Sequence, residues 1–338
     1  MPRVVMMGTG TFARPTFEAL LAEPGVEVVG LVTQPDHHVG HVRGSTRQTG
    51  PSLKDIAVER GVPVYQPDSV NTPEGVEQLK AWRPDLLVVA AYGQILKKDV
   101  LEAAAWGGIN VHGSLLPKYR GAAPVAWAIY HGETRTGVTI IRMTTGLDAG
   151  DMLAQEALDI LPDETAGELE ARLAPVGARL AVDIVRRLAA GPVAGTKQDQ
   201  AQVTKAPKLK KENGLIDWSQ PAEQVVRQVR AMQPWPTAYT WLHHGGKPPM
   251  RVIVTRTGNC AWSPSGPGHP APGSISVDSR LTDEGSSQGT FLMVATSQNT
   301  YVEIRELQPA GKRRMAAAEF LRGHPLHVGD RFGPEALP

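Results

Sequence analysis

The stretch Arg3-Val4-Val5-Met6-Met7-Gly8-Thr9-Gly10-Thr11-Phe12-Ala13 is a short apolar run that leads into a glycine-rich turn and an amphipathic segment. Similar apolar runs occupy residues 26–32, 86–91 and 109–111, and amphipathic segments lie between them near 16–22, 52–60, 72–82 and 97–104. Short runs without alternation are typical of parallel strands that are buried on both faces. The repeated strand-helix order predicts an α/β fold with an open, doubly wound, mostly parallel sheet.

The turn Gly8-Thr9-Gly10-Thr11-Phe12-Ala13 also matches the loose dinucleotide-binding fingerprint, with alanine in the last place. That fingerprint expects an acidic residue about 20 positions further on to hold a ribose. Residues 28–32 contain none, and Asp36 lies too far along the chain. A plain tight strand-to-helix turn is therefore favoured, and we expect no nucleotide cofactor.

The second part of the sequence has a different pattern. A helix predicted over 165–189 ends at Gly191-Pro192, and a polar segment with few periodic apolar positions follows it. Beyond it come one more helical segment, rigid Pro234-Trp235-Pro236 and several short apolar runs separated by glycine, proline and serine. Those segments are the helix at 222–231 and the runs at 251–255, 274–277, 291–295 and 301–307. Short strands with turn-rich gaps predict a small antiparallel barrel, so we divide the chain into domains at 1–190 and 208–338 with a linker over 191–207.

Composition and charge narrow the class of protein. The 338 residues are 41% hydrophobic and 20% charged, as in ordinary globular proteins, and the most apolar run is far shorter than the roughly 20 residues of a membrane helix. The single Cys260 and the absence of a signal-peptide pattern predict a cytoplasmic protein. Residues 1–207 hold 20 Lys+Arg against 23 Asp+Glu, whereas residues 208–338 hold 15 against 11. The basic second part is a weak indication of a polyanionic partner, with random surface charge as the alternative.

The most informative run is Asn110-Val111-His112-Gly113-Ser114-Leu115-Leu116-Pro117, continued by Tyr119-Arg120-Gly121. Asparagine and histidine at alternate positions near a strand end point to the same side of the sheet, at the edge where open α/β sheets bind ligands. Further on, Gly146-Leu147-Asp148-Ala149-Gly150 places a carboxylate between glycines. An amide, an imidazole and a carboxylate together suit acyl transfer, with structural roles for each residue as the alternative.

Two hydrolase alternatives have less support. Ser114 lacks the G-x-S-x-G turn of a serine hydrolase, and the sequence contains neither HExxH nor paired cysteines for a metal hydrolase. The loop over 34–50 holds three histidines, Arg43 and Arg47 but hardly any apolar side chain. It suits a clamp for a phosphate-bearing partner, against the alternatives of a solvated loop or a metal site.

At these residues the chain resembles the formyltransferase family of folate enzymes. The resemblance spans nearly the whole chain, and the run from Asn110 to Pro124 is its most specific part. It also includes Gln34-Pro35-Asp36, Ala91-Tyr92-Gly93, Gly137-Val138-Thr139-Ile140, Gly146 to Met152, Ile216-Asp217-Trp218 and Gln308 to Met315. Gly10 stands where the family usually has proline, and the 34–50 loop and the 261–273 insert are long for the family.

The resemblance implies a Rossmann-like first domain and an OB-like C-terminal barrel that helps to hold tRNA. It implies Asn110, His112 and Asp148 as catalytic residues, and Ser114, Leu115, Leu116 and Pro117 as the stretch lining the folate. The formyl donor would be 10-formyltetrahydrofolate, without metal or nucleotide cofactor, and the acceptor the amine of initiator methionyl-tRNA. Relatives that formylate sugar nucleotides or hydrolyse formyltetrahydrofolate are the alternatives. Candidate tRNA contacts are Arg43, Lys208, Lys211, Lys312 and Arg313. We expect a monomer.

Overall fold

The computed structural model describes residues 1–36, 51–258, 270–281, 288–327 and 329–337. These residues form two compact units. The first comprises Met1–Ala128, Glu133–Pro162 and Gly167–Lys208, and the second comprises Ile129–Gly132, Asp163–Ala166 and Leu209–Pro338. Arg43, Cys260 and most of the 34–50 loop lie outside the described residues.

The first part of the chain alternates strands and helices as the sequence predicts. Its strands are β1 (Arg3–Gly8), β2 (Glu27–Val32), β3 (Val64–Tyr65), β4 (Leu86–Ala90), β5 (Gly108–His112), β6 (Arg120–Gly121), β7 (Arg135–Arg142), β8 (Met152–Asp159) and β9 (Lys205–Ala206). Its helices are α1 (Gly10–Ala22), α2 (Leu53–Glu59), α3 (Pro73–Trp82), α4 (Lys98–Leu101), α5 (Pro124–Tyr130) and α6 (Ala166–Ala190).

The main sheet has the strand order β3-β2-β1-β4-β5-β7-β8. The first five strands are parallel, and β7 and β8 extend the sheet in antiparallel fashion. This order confirms the Rossmann-like, doubly wound, mostly parallel sheet. Strands β1 and β4 are almost wholly buried, which explains why their sequences read as continuous apolar runs.

The turn after β1 is tight because the backbone packs closely there. A Cβ atom on Gly8 would lie 2.7 Å from the Cβ of Ala13 and 2.8 Å from the carbonyl oxygen of Ala90. Gly10 has a φ of +77°, which glycine adopts at little cost. Both glycines therefore have a structural explanation in the strand-to-helix turn.

The amphipathic segments predicted near 52–60 and 72–82 form helices α2 and α3, and each has a side-chain cap at its start. The backbone N–H of Asp55 donates to the Ser52 hydroxyl at 3.1 Å, and the N–H of Gly75 donates to the Thr72 hydroxyl at 3.1 Å. Helix α6 packs closely on the sheet, since a Cβ on Gly177 would lie 2.6 Å from a Val111 methyl group. Helix α6 therefore packs against Val111 near the carboxyl end of β5.

The second unit contains an antiparallel sheet that closes on itself. Its strands are β10 (Ala238–His243), β11 (Met250–Gly258), β12 (Ile275–Leu281), β13 (Gln288–Ala295), β14 (Tyr301–Pro309), β15 (Met315–Ala316) and β16 (Arg331–Gly333), with helices α7 (Ala222–Ala231) and α8 (Ala317–Gly323). The order is β12-β13-β14-β11-β10-β16, and a bridge between Ser274 and Arg331 brings its two edges together. The predicted small barrel is confirmed. Inside it, the indole N–H of Trp218 donates to Thr240 at 3.0 Å.

The segment over 191–207, which the sequence predicts to be a linker, packs within the first unit. Strand β9 pairs with β6, and Thr196 pairs with Met152. The domain boundaries at 190 and 208 stay a prediction. No helix in the described residues is long and apolar enough to cross a membrane.

Candidate functional site

Two polar side chains lie at the end of β5. The strand pairs in parallel with β4 on one side and in antiparallel with β7 on the other, so its end lies at the carboxyl edge of the sheet. Asn110 is half-buried there, and His112 is only 4% exposed. Because they are two residues apart on one strand, both side chains lie on the same face.

The Asp148 carboxylate meets both of these residues. Its loop between β7 and β8 brings Oδ1 to 3.2 Å from the Nδ2 of Asn110, which donates to it. Oδ2 accepts from the backbone N–H of Gly121 at 2.9 Å and lies 3.6 Å from Nδ1 of His112. The structure therefore brings the three predicted catalytic side chains together, although they come from segments nearly 40 residues apart.

The orientation of the His112 ring is fixed by the chain that follows it. Nε2 lies 3.0 Å from the carbonyl oxygen of Tyr119. A carbonyl oxygen only accepts, so Nε2 carries the proton of this hydrogen bond. Nδ1 is the nitrogen that faces Asp148. The sequence alone did not distinguish the two nitrogens, and the structure assigns Nδ1 to the site.

The stretch predicted to line the folate divides into two kinds of side chain. Ser114 and Leu116 are buried, and the Ser114 hydroxyl donates to the carbonyl oxygen of Lys118 at 2.7 Å. Leu115 and Pro117 are half-buried, and the peptide bond before Pro117 is cis. Leu115 and Pro117 are therefore more available for direct contact with a bound ligand, whereas Ser114 and Leu116 shape the loop.

Polar contacts from β7 and β8 hold the main chain of this loop. The Leu116 N–H donates to the Thr139 hydroxyl at 3.1 Å, and that hydroxyl donates to the Ser114 carbonyl oxygen at 2.6 Å. Gln155 Nε2 donates to the Leu116 carbonyl oxygen at 3.0 Å. Hydrogen bonds from side chains of β7 and β8 therefore hold the loop that carries the predicted folate contacts.

Sequence reasoning missed Gln198. It lies in the segment predicted to be a linker, yet it is 7% exposed, and its Nε2 donates to the carbonyl oxygens of Asp148 and Gly150. Its Oε1 accepts from Nε and Nη2 of Arg120 at 3.0 and 2.8 Å. Asp148 and Gly150 lie about 50 positions from Gln198 in the sequence, and Arg120 lies 78 positions away. No local sequence pattern predicts such contacts, so only the folded structure could identify them.

The predicted tRNA contacts are exposed where they are described. Lys208 ends the first unit, and Lys211 begins a short 3-10 helix in the second. Lys312 lies in the turn that follows β14, and Arg313 pairs with Glu319 at 2.5 Å. Arg43 lies outside the described residues. Among the described residues, no group of three or more His, Cys, Asp or Glu side chains is arranged to hold a metal ion.

Comparison with known proteins agrees with the geometry. Residues 2–185 match the formyl transferase family, and residues 208–325 match the formyl transferase C-terminal domain. Methionyl-tRNA formyltransferase of Bacillus subtilis is 39% identical over 98% of this chain and 98% of its own length. The enzyme of the same name from Trichlorobacter lovleyi is 42% identical over 99% and 98%.

A solved structure shares the fold at lower identity. The N-formyltransferase from Helicobacter canadensis, in complex with folinic acid and dTDP-3-aminofucose, aligns with a TM-score of 0.63 and 16% identity. The alignment covers 90% of this chain and 99% of that one. On the strength of both domain matches and of the relatives that align along almost its full length, this chain belongs to the formyl transferase family.

Proposed function

We propose that this protein transfers the formyl group of 10-formyltetrahydrofolate to the amine of methionyl initiator tRNA, giving N-formylmethionyl-tRNA. The observation that carries the proposal is the buried contact of Asn110, His112 and Asp148 at the carboxyl edge of the sheet. The names of relatives about 40% identical over nearly the full chain support the acceptor.

The acceptor amine must lose a proton before it attacks. A free α-amine has a pKa of about 7.7 to 8.0, so much of it is protonated at neutral pH. Asp148 is positioned to accept that proton, directly or through water, because Asn110 and Gly121 hold its carboxylate at the site. The reacting amine would approach between Asp148 and the formyl carbon.

The attack places negative charge on the formyl oxygen. The Asn110 amide donates to that oxygen, and protonated His112 donates to it through Nδ1, since Nε2 is committed to the Tyr119 carbonyl. Donors of this kind each contribute about 3 to 4 kcal/mol to transition-state stabilisation. The products are the formylated amine and tetrahydrofolate, which takes a proton at the nitrogen that carried the formyl group.

The outer face of the barrel supports a nucleic-acid acceptor. Tyr239 and Trp241 on β10 contact each other edge to face with ring centroids 5.3 Å apart, and both rings are half-buried. The Arg251 guanidinium lies 4.2 Å from the centre of the Tyr239 ring. Aromatic rings beside arginine suit the stacking of unpaired bases and contact with phosphates.

The Lys312 turn adjoins this surface. The backbone N–H of Ala310 donates to the Arg251 carbonyl oxygen at 2.9 Å, which places the turn beside the start of β11. Lys312 is exposed in this turn and adds a second positive charge. Binding through such contacts should weaken as salt rises, because phosphate neutralisation releases counterions.

The test is formyl transfer from 10-formyltetrahydrofolate to methionyl initiator tRNA, with sugar-nucleotide amines and an acceptor-free reaction run in parallel. We expect transfer to the tRNA that is abolished by His112→Ala while tRNA binding persists. Transfer to a sugar-nucleotide amine instead would show that the acceptor is a sugar nucleotide and not tRNA. Rapid release of formate without an acceptor would make the protein a hydrolase, since the same three side chains would then activate water.

A further inference from the structure

Two residues of the candidate site have left-handed backbone conformations. Asp148 has a φ of +47°, and Tyr119, whose carbonyl oxygen holds His112, has a φ of +64°. Residues with a Cβ atom adopt this region seldom, and they remain in it where the surrounding structure holds them. The groups that hold these two residues therefore determine where the reactive atoms lie.

The segment over 196–206 holds the Asp148 loop. Gln198 Nε2 donates to the carbonyl oxygen of Asp148 at 2.7 Å and to that of Gly150 at 2.8 Å. Both amide hydrogens of Gln198 are thus used to fix the main chain on either side of Ala149. The buried position of Gln198 excludes water as an easy replacement for these bonds.

The same segment holds Tyr119. Its backbone N–H donates to the Thr204 hydroxyl at 2.8 Å, and the N–H of Arg120 donates to the Thr204 carbonyl oxygen at 2.9 Å. The Tyr119 carbonyl in turn accepts from Nε2 of His112. Thr204 therefore acts on the imidazole through one intervening residue.

A side-chain contact links the two halves of this arrangement. The Oε1 atom of Gln198 accepts from Nε and Nη2 of Arg120, whose neighbour Gly121 donates its N–H to Asp148. The loop that carries Tyr119 and the loop that carries Asp148 are thus tied to each other through Gln198. Misplacing either loop would change the distance between His112 and the carboxylate.

We infer that Gln198 and Thr204 are positioning residues for formyl transfer: Gln198 sets the place of Asp148, and Thr204 sets that of His112. This inference rests on the proposed function. It assigns a positioning role to a segment whose sequence resembles a linker. Because a displacement of about 1 Å can lower a rate about a hundredfold, we expect loss of either contact to lower kcat by about that factor.

The experiment compares Gln198→Met and Thr204→Val with matched controls in the transfer assay with methionyl initiator tRNA. Methionine keeps the length of glutamine without its amide. Gln202→Met makes the same change four residues along, at an exposed side chain that bonds to Asp199. Thr204→Ser retains the hydroxyl acceptor. We expect a fall in kcat with nearly constant KM for Gln198→Met and Thr204→Val, and near-normal kcat for Gln202→Met and Thr204→Ser.

A double-mutant cycle separates positioning from general stability. In an Asp148→Asn background, Gln198→Met should lower kcat far less than it does in the intact protein, because it acts through Asp148. Equal effects in both backgrounds, or normal kcat in Gln198→Met, would overturn the assignment of Gln198. If Gln198→Met fails to fold, the comparison of Thr204→Val with Thr204→Ser tests the inference, because Thr204 is exposed. Equal kcat values for these two variants would refute it. Absence of transfer by the unaltered protein would instead refute the proposed function.

Discussion

Replacing Asp148 by asparagine would keep the size of the side chain but change its hydrogen bonding. The carboxylate accepts from the Asn110 amide at Oδ1 and from the Gly121 N–H at Oδ2. An asparagine has one acceptor oxygen, so its NH₂ group would face one of these two donors. One donor of this largely buried cluster would thus lose its partner.

The expected changes in the free energy of unfolding and in kcat follow from these contacts. An unsatisfied buried donor costs about 1 to 3 kcal/mol, so Asp148→Asn should lower the free energy of unfolding by about that amount. Loss of the proton acceptor should lower kcat by about 10² to 10⁴. Thermal unfolding and single-turnover formyl transfer would measure the two effects separately.

Adding Asn110→Asp to Asp148→Asn distinguishes the two roles. In the exchanged pair, the amide at position 148 would accept from Gly121 and donate to the carboxylate at position 110, so every donor regains an acceptor. We expect most of the lost stability to return and kcat to stay low, because the Asn110 donor is gone and the carboxylate is displaced from His112. Recovery of transfer by the exchanged pair would refute the assigned roles.

Three further substitutions, the first with a matched control, test close packing, the pH dependence of stability and tRNA binding. Gly121→Ala would place a Cβ atom 2.3 Å from the Ala206 carbonyl oxygen, so it should reduce stability by about 1 to 3 kcal/mol and also lower kcat, whereas Gly107→Ala, at a positive φ with open space, should leave kcat unchanged. Burial raises the pKa of Glu170 from 4.5 to about 7, so its neutral form stabilises the fold at low pH and this contribution is lost as pH rises through 7. Glu170→Gln should therefore increase stability at pH 8, by up to about 3 kcal/mol, and change it little at pH 5, as thermal melts at both pH values would show. Lys312→Ala should reduce the slope of tRNA affinity against salt by about one, and an unchanged slope between about 50 and 200 mM would argue against a phosphate contact.

The sequence predicted several strands that are buried along their length, although it missed β7, whose central residues are all buried. Strands β1, β4 and β5 are buried on both faces, so their apolar runs and the intervening helices sufficed to predict the parallel sheet. The spacing of Asn110 and His112 likewise placed both on one face of one strand. Strand β8 was missed because it is only partly buried, and its residues show no clear periodicity.

Sequence patterns could not predict contacts between residues that are distant in the sequence. Gln198 lies in a polar stretch without apolar periodicity, and the same composition is typical of a linker. Its contacts accompany the pairing of β9 with β6, which joins segments about 85 residues apart in sequence. The choice of Nδ1 over Nε2 in His112 depended in the same way on the left-handed turn at Tyr119.

The residues assigned to the chemistry and those assigned to RNA belong to different units of the chain. Asn110, His112 and Asp148 lie in the first unit, whereas Arg251 and Lys312 lie in the second. Loss of a residue that contributes only to binding of the acceptor raises KM without lowering kcat, and loss of one that acts in the transition state lowers kcat. Substitutions in the first set should therefore lower the rate at saturating tRNA, and substitutions in the second should leave it unchanged. If Lys312→Ala lowered kcat at saturating tRNA, the barrel would have to act in the transfer step itself and not only in holding the acceptor.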